Sequence, residues 1–172
     1  KSILNIKKYN LKKIKKSDEI NFFFYIPTSL RGPNYRHGPF MDISDKTYLD
    51  WQNNLIQIFN DKLVFKHHPK DKFKNIYFIY NKNINTNYES INEILKKNKN
   101  ICFIFDTIGT AFAEVSASNF PIIFFDIHQR NIPEFVKELI KKRCVYVDLF
   151  KINSISFHDI YEQLTNIKTN YN

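Results

Sequence analysis

The stretch ICFIFDTIGTAFAEVSASNFPIIFFD, residues 101–126, is where the fold becomes legible. Residues 101–105 and 121–125 are short apolar runs, rich in Ile and Phe, with no polar alternation. Such runs suit strands covered on both faces. Between them, residues 109–118 have the length and composition of a helix. A strand, a helix and a second strand at this spacing form a parallel crossover, because a parallel pair needs a long connection.

The same rhythm extends outward. Residues 20–26 (INFFFYI) and 62–66 (KLVFK) read as buried strands, 75–80 (NIYFIY) as a shorter third and 144–149 (CVYVDL) as the last. Ser44-Asp45 can cap a helix running to about residue 59. Further helices are expected at 90–98, with Glu93 set to pair with Lys97, at 133–142, with Pro133 in its first turn, and at 156–167. Apolar strands alternating with helices predict an α/β class, a Rossmann-like doubly wound parallel sheet.

Composition limits what such a domain can be. The 172 residues suit one domain with an arm, and 43% hydrophobic content argues against disorder. No apolar run is long enough for a membrane-spanning helix. The net charge of +9 suggests nucleic acid until it is located. Residues 1–16 hold seven lysines and no acid, so the rest of the chain is nearly balanced. Residues 1–19 therefore read as a basic linker or arm and 20–172 as the domain. The arm either stays solvated or makes peripheral contact with anionic membrane; the body lacks the basic stripe of a nucleic-acid binder. Cys102 and Cys144 each sit in an apolar run and read as buried free thiols, which points to a reducing, cytoplasmic compartment.

In a doubly wound sheet, ligands bind beyond the carboxyl ends of the strands. Thr28, Arg31, Gly32, Arg36, His37 and Gly38 follow the first strand; Lys66, His67 and His68 close the second. Asp106, Thr107, Gly109 and Thr110 follow the 101–105 strand, and Asp126 and His128 follow the next. All three glycines and four of the five histidines of the chain fall on this edge. Arg31 and Arg36 offer forked donors for phosphate. The turn Asp106–Thr110 offers hydroxyls and amides to an anion, and Glu114, one turn inside the helix, offers a carboxylate to ribose hydroxyls. His67 and His68 are adjacent, so a pleat sends them to opposite faces. His68, fixed by Pro69, is the better ligand of the two. No ligand set for a metal and no cofactor motif is present.

Several of these segments look familiar. FFFYIPTSLRG (22–32) resembles the first strand and loop of the C-terminal, nucleotide-sugar-binding domain in GT-B bacterial surface-carbohydrate transferases. KHHP (66–69) resembles the His-Pro motif of CDP-glycerol glycerophosphotransferases, capsule transferases and bacterial sialyltransferases. In residues 106–126, Asp106, Thr110, Glu114 and Pro121 fall in register with a GT-B motif. Asn119 stands where many relatives have Gly, as a left-handed helix cap. The Ser-Ser pair of the glycerophosphotransferases is replaced by Gly109-Thr110.

The resemblance implies a GT-B C-terminal half acting in surface polysaccharide biosynthesis. Its partners would be a nucleotide sugar and a glycan or lipid-linked acceptor, and its place the cytoplasm or the inner membrane face. His68 would contact the donor phosphate and stabilise the leaving nucleotide. Thr28, Arg31, Arg36, Lys66, Asp106, Thr107, Gly109, Thr110 and Glu114 would complete the binding set. The chain opens on Lys1 and not Met, and the general base is expected from an upstream N-terminal domain. The alternatives are an epimerase-like GT-B relative and a non-catalytic scaffold domain.

Overall fold

The computed structural model describes residues 20–28, 43–67 and 84–149. They form a six-stranded, all-parallel sheet with helices on both faces. The strands are β1 (Phe22–Ile26), β2 (Leu63–Lys66), β3 (Asn85–Asn87), β4 (Ile101–Phe105), β5 (Ile122–Asp126) and β6 (Val145–Asp148). Their order across the sheet is β3-β2-β1-β4-β5-β6. The central strand β1 runs in register with Leu63–Phe65 of β2 on one side and Ile101–Phe105 of β4 on the other.

The four described helices are α1 (Asp45–Phe59), α2 (Ile91–Lys97), α3 (Thr110–Ser116) and α4 (Glu134–Arg143). The chain winds outward from β1 to β3, then returns across the sheet to β4. That reversal, with right-handed crossovers, sends later helices to the face opposite α1. Alternate residues of each strand serve the two layers. Phe23 and Tyr25 pack with Tyr48, Trp51, Leu55, Ile56 and Phe59 of α1. Phe24 and Ile26 pack with Ile91 and Ile94 of α2, Val115 of α3 and Ile140 of α4. Every residue of β4 and β5 is buried, which is why those runs carry no polar alternation.

Local signals explain most helix ends. Ser44 caps α1, its Oγ accepting from the Thr47 amide at 3.1 Å. Asn60 ends it with φ 44°, in the left-handed region where Asn is better tolerated than most residues. Ser90 and Glu93 form a reciprocal capping box on α2. Glu93 is thereby turned back onto Ser90, and the Lys97 ammonium pairs with Glu89 instead of making the expected bond to Glu93. Pro133 lies just before α4, not in its first turn; its carbonyl accepts from the Lys137 amide at 3.1 Å.

One further expectation needs correction. Asn119 is not left-handed; among the described non-glycine residues only Asn60 and His128 have positive φ. The end of α3 is held instead by the Ser118 hydroxyl, 2.6 Å from the Val115 carbonyl, and by Arg143. The guanidinium donates to the carbonyls of Ser116 (3.0 Å), Ser118 (2.8 Å) and Phe120 (2.9 Å). The polar Asn85–Asn87, a strand the sequence did not announce, is the edge strand of the sheet among the described residues. The expected strand 75–80, the helix 156–167 and the arm 1–19 lie outside the described residues.

Candidate functional site

The carboxyl ends of the strands gather the polar residues of the sheet. Asp106 follows β4 and is buried at 4% exposure. Its carboxylate accepts from the Tyr25 hydroxyl, from Tyr48 at 3.2 Å and from the Trp51 indole at 3.1 Å. Burial pushes its carboxyl up to about 6, against the three donors, which favour the charged form. Tyr48 also accepts from the Thr28 amide at 2.9 Å. Asp106 thus ties α1 and the end of β1 to the end of β4, and its carboxylate is engaged before any ligand arrives.

Lys66 closes β2 on the face that α3 covers, two residues beyond Val64, which packs into that layer. It is 7% exposed. Burial lowers its pKa, and the carboxylate of Glu114, an exposed residue of α3, opposes that shift. No hydrogen bond or ion pair compensates its ammonium among the described residues. His67 takes the opposite face as the pleat requires, with its ring 5.2 Å from Phe65 and stacked on Tyr88 at 5.1 Å. His68, Arg31 and Arg36 lie outside the described residues.

Thr107 is half-buried, and Gly109 and Thr110 are exposed at the turn into α3. Gly109 has φ −151°, open to any residue, and a Cβ there would meet nothing within 4 Å. Folding does not demand glycine at this position.

A cavity of about 310 Å³ opens between the β4–α3 turn and the loop from β5 into α4. Asp106, Thr107 and Ile108 form one wall; Asp126, Gln129, Arg130, Asn131 and the start of α4 form the other. Beside it, Asp126 accepts from the Tyr146 hydroxyl and the His128 amide, and pairs with Lys137 at 3.2 Å. His128 has φ 55°, and its Nε2 lies 2.9 Å from Asp148. Burial, reinforced by Asp126, raises the Tyr146 phenol and keeps it a donor.

Thr28, Lys66, Asp106, Thr107, Gly109, Thr110 and Glu114 therefore all lie toward the carboxyl edge of the central strands. Gln129, Arg130 and Asn131 were not in the expected set, although the rule that selected Asp106 points equally to the loop after β5. Tyr25, Tyr48 and Trp51 were also missed, because nothing in a strand or an amphipathic helix marks an aromatic as a carboxylate donor. Among the described residues no group of three or more His, Cys, Asp and Glu could hold a metal ion, and no helix is long and apolar enough to cross a membrane. No protein-family model, curated protein or solved structure matches this chain.

Proposed function

We propose that this chain is the donor-binding domain of a glycosyltransferase of bacterial surface polysaccharide biosynthesis, holding a nucleotide-activated sugar by its phosphates. The observation that carries the reading is Lys66, a lysine whose side chain is largely buried at the sheet's carboxyl edge, with the carboxylate of Glu114 opposing the effect of that burial. Burial of the side chain weakens the hold of the ammonium on its proton, and an anion seated against it would favour the charged form. The site lies beside β1, where the sheet order reverses, the usual ligand crevice of this architecture. Gly109 and Thr110 offer an uncrowded surface to the same ligand. The resemblance of residues 22–32, 66–69 and 106–126 to GT-B transferases supplies the choice of a nucleotide sugar.

Thermal unfolding with pyrophosphate, CMP, CDP, UDP and GDP tests this. At 100 times its dissociation constant, a bound anion stabilises by about 2.7 kcal/mol. Lys66→Met should abolish that gain while leaving the ligand-free protein as stable or more so. Absence of stabilisation by all five anions, or an equal gain in Lys66→Met, refutes the reading.

A further inference from the structure

The cavity between the β4–α3 turn and the β5–α4 loop is distinct in chemistry from the surroundings of Lys66. At about 310 Å³ it sits at the lower end of the range of small-molecule sites, room for one ring and not for a whole nucleotide sugar. Its two carboxylates are already compensated, Asp106 by three donors and Asp126 by Lys137, Tyr146 and a backbone amide. Thr107, Gln129 and Asn131 add neutral hydrogen-bonding groups, Arg130 adds a guanidinium, and Ile132 and Val136 add apolar surface. No lining residue is aromatic among the described residues, so a planar base would find no stacking platform.

Gln129 is the anomaly. It is 2% exposed, and neither its Nε2 nor its Oε1 has a hydrogen-bond partner among the described residues. A buried carboxamide left in this state costs stability, so its presence needs a reason. A carboxamide offers two donors and an acceptor side by side, which matches neighbouring hydroxyls. We propose that this cavity is the subsite for a single polyhydroxylated pyranose ring, and that Gln129 turns its amide from the wall onto the ring hydroxyls when the ring binds. This rests on the donor-binding reading above and names the part of the ligand that lies here.

The test uses the full chain labelled with ¹⁵N, with the Gln129 side-chain amide assigned by through-bond spectra. Glucose, galactose and N-acetylglucosamine are titrated separately, then uridine, cytidine, adenosine and guanosine, then pyrophosphate. At least one monosaccharide should shift the Gln129 amide, and the nucleosides should leave it in place. Nucleosides moving it while the sugars do not would make this a base pocket and overturn the proposal. So would silence from every sugar. Gln129→Leu should keep or raise the melting temperature of the ligand-free protein and lose sugar binding. A lower melting temperature would mean that the amide is satisfied without ligand, and would also overturn it. Pyrophosphate should stabilise Gln129→Leu as it does the parent chain. Failure of pyrophosphate in both proteins, with sugar binding intact, counts against the phosphate reading alone.

Discussion

The indole Nε1 of Trp51 donates to the carboxylate of Asp106 across 3.1 Å, joining the middle of α1 to the carboxyl end of β4. The indole also packs edge-on against Phe125 of β5, ring centres 5.0 Å apart. One side chain thus closes the core on α1's face and holds the acid beside the crevice. With Tyr25 and Tyr48 it gives Asp106 three donors, yet burial still dominates that carboxyl.

A pH dependence follows from that balance. An aspartate in an unfolded chain titrates near ~3.9, whereas Asp106 titrates at about 6 in the folded protein. The folded state binds this proton more tightly. Its stabilising effect is therefore full below the unfolded value and is lost as pH rises through about 6, a swing on the order of 3 kcal/mol. Asp106→Asn cannot titrate. Denaturant unfolding should show the parent chain losing stability relative to this variant between about pH 4 and about pH 7. A difference that stays flat over that window would contradict the account.

Arg143 closes the open end of α3 from another element. Its fork donates to three carbonyls that no helical amide reaches. Lysine cannot reproduce that fork, so Arg143→Lys should cost about 1–2 kcal/mol. Hydrogen exchange should quicken between α3 and β5 ahead of the rest of the sheet. An unchanged melting temperature would assign the capping to Ser118 instead.

Gly109 caps α3 with no side-chain hydrogen bond and no steric need to be glycine. Serine there should stabilise the free protein by about 0.3 kcal/mol, through a new cap and a less flexible unfolded chain. If a ligand lies against this turn, the added side chain should weaken anion binding at the same time. Melting temperatures of Gly109→Ser with and without UDP separate the two effects.

The sheet was readable because its physical cause is local. The runs at 101–105 and 121–125 are apolar throughout and those at 20–26, 62–66 and 144–149 are apolar for most of their length, a pattern that suits strands covered on both sides. The polar strand Asn85–Asn87 escaped notice for the converse reason: at the edge of the described sheet backbone pairing can decide, and no side-chain pattern is required. The helix start at Ser44 was visible as a capping residue, whereas at 90–98 Glu93 was read as a partner of Lys97 and its capping box with Ser90 was not. The end of α3 was misread, because Asn119 carries the local signal for a left-handed cap while the actual cap arrives from Arg143, far along the chain.

The candidate site divides along the same line. The sequence alone determined that Gly109, His67 and His128 follow strands at one edge of a parallel sheet, because strand direction and the crossover rule decide which loops share an end. It also singled out Lys66, Asp106, Gly109 and Glu114 by their places beside those strands. Only the tertiary structure decided what their side chains do. It turned Asp106 onto Tyr25, Tyr48 and Trp51, buried Lys66 without a close partner, and set Gln129 in the wall of a cavity with its amide unpaired. Those outcomes depend on which groups desolvate one another across the packed layers, and desolvation is a property of the three-dimensional neighbourhood that no spacing along the chain encodes.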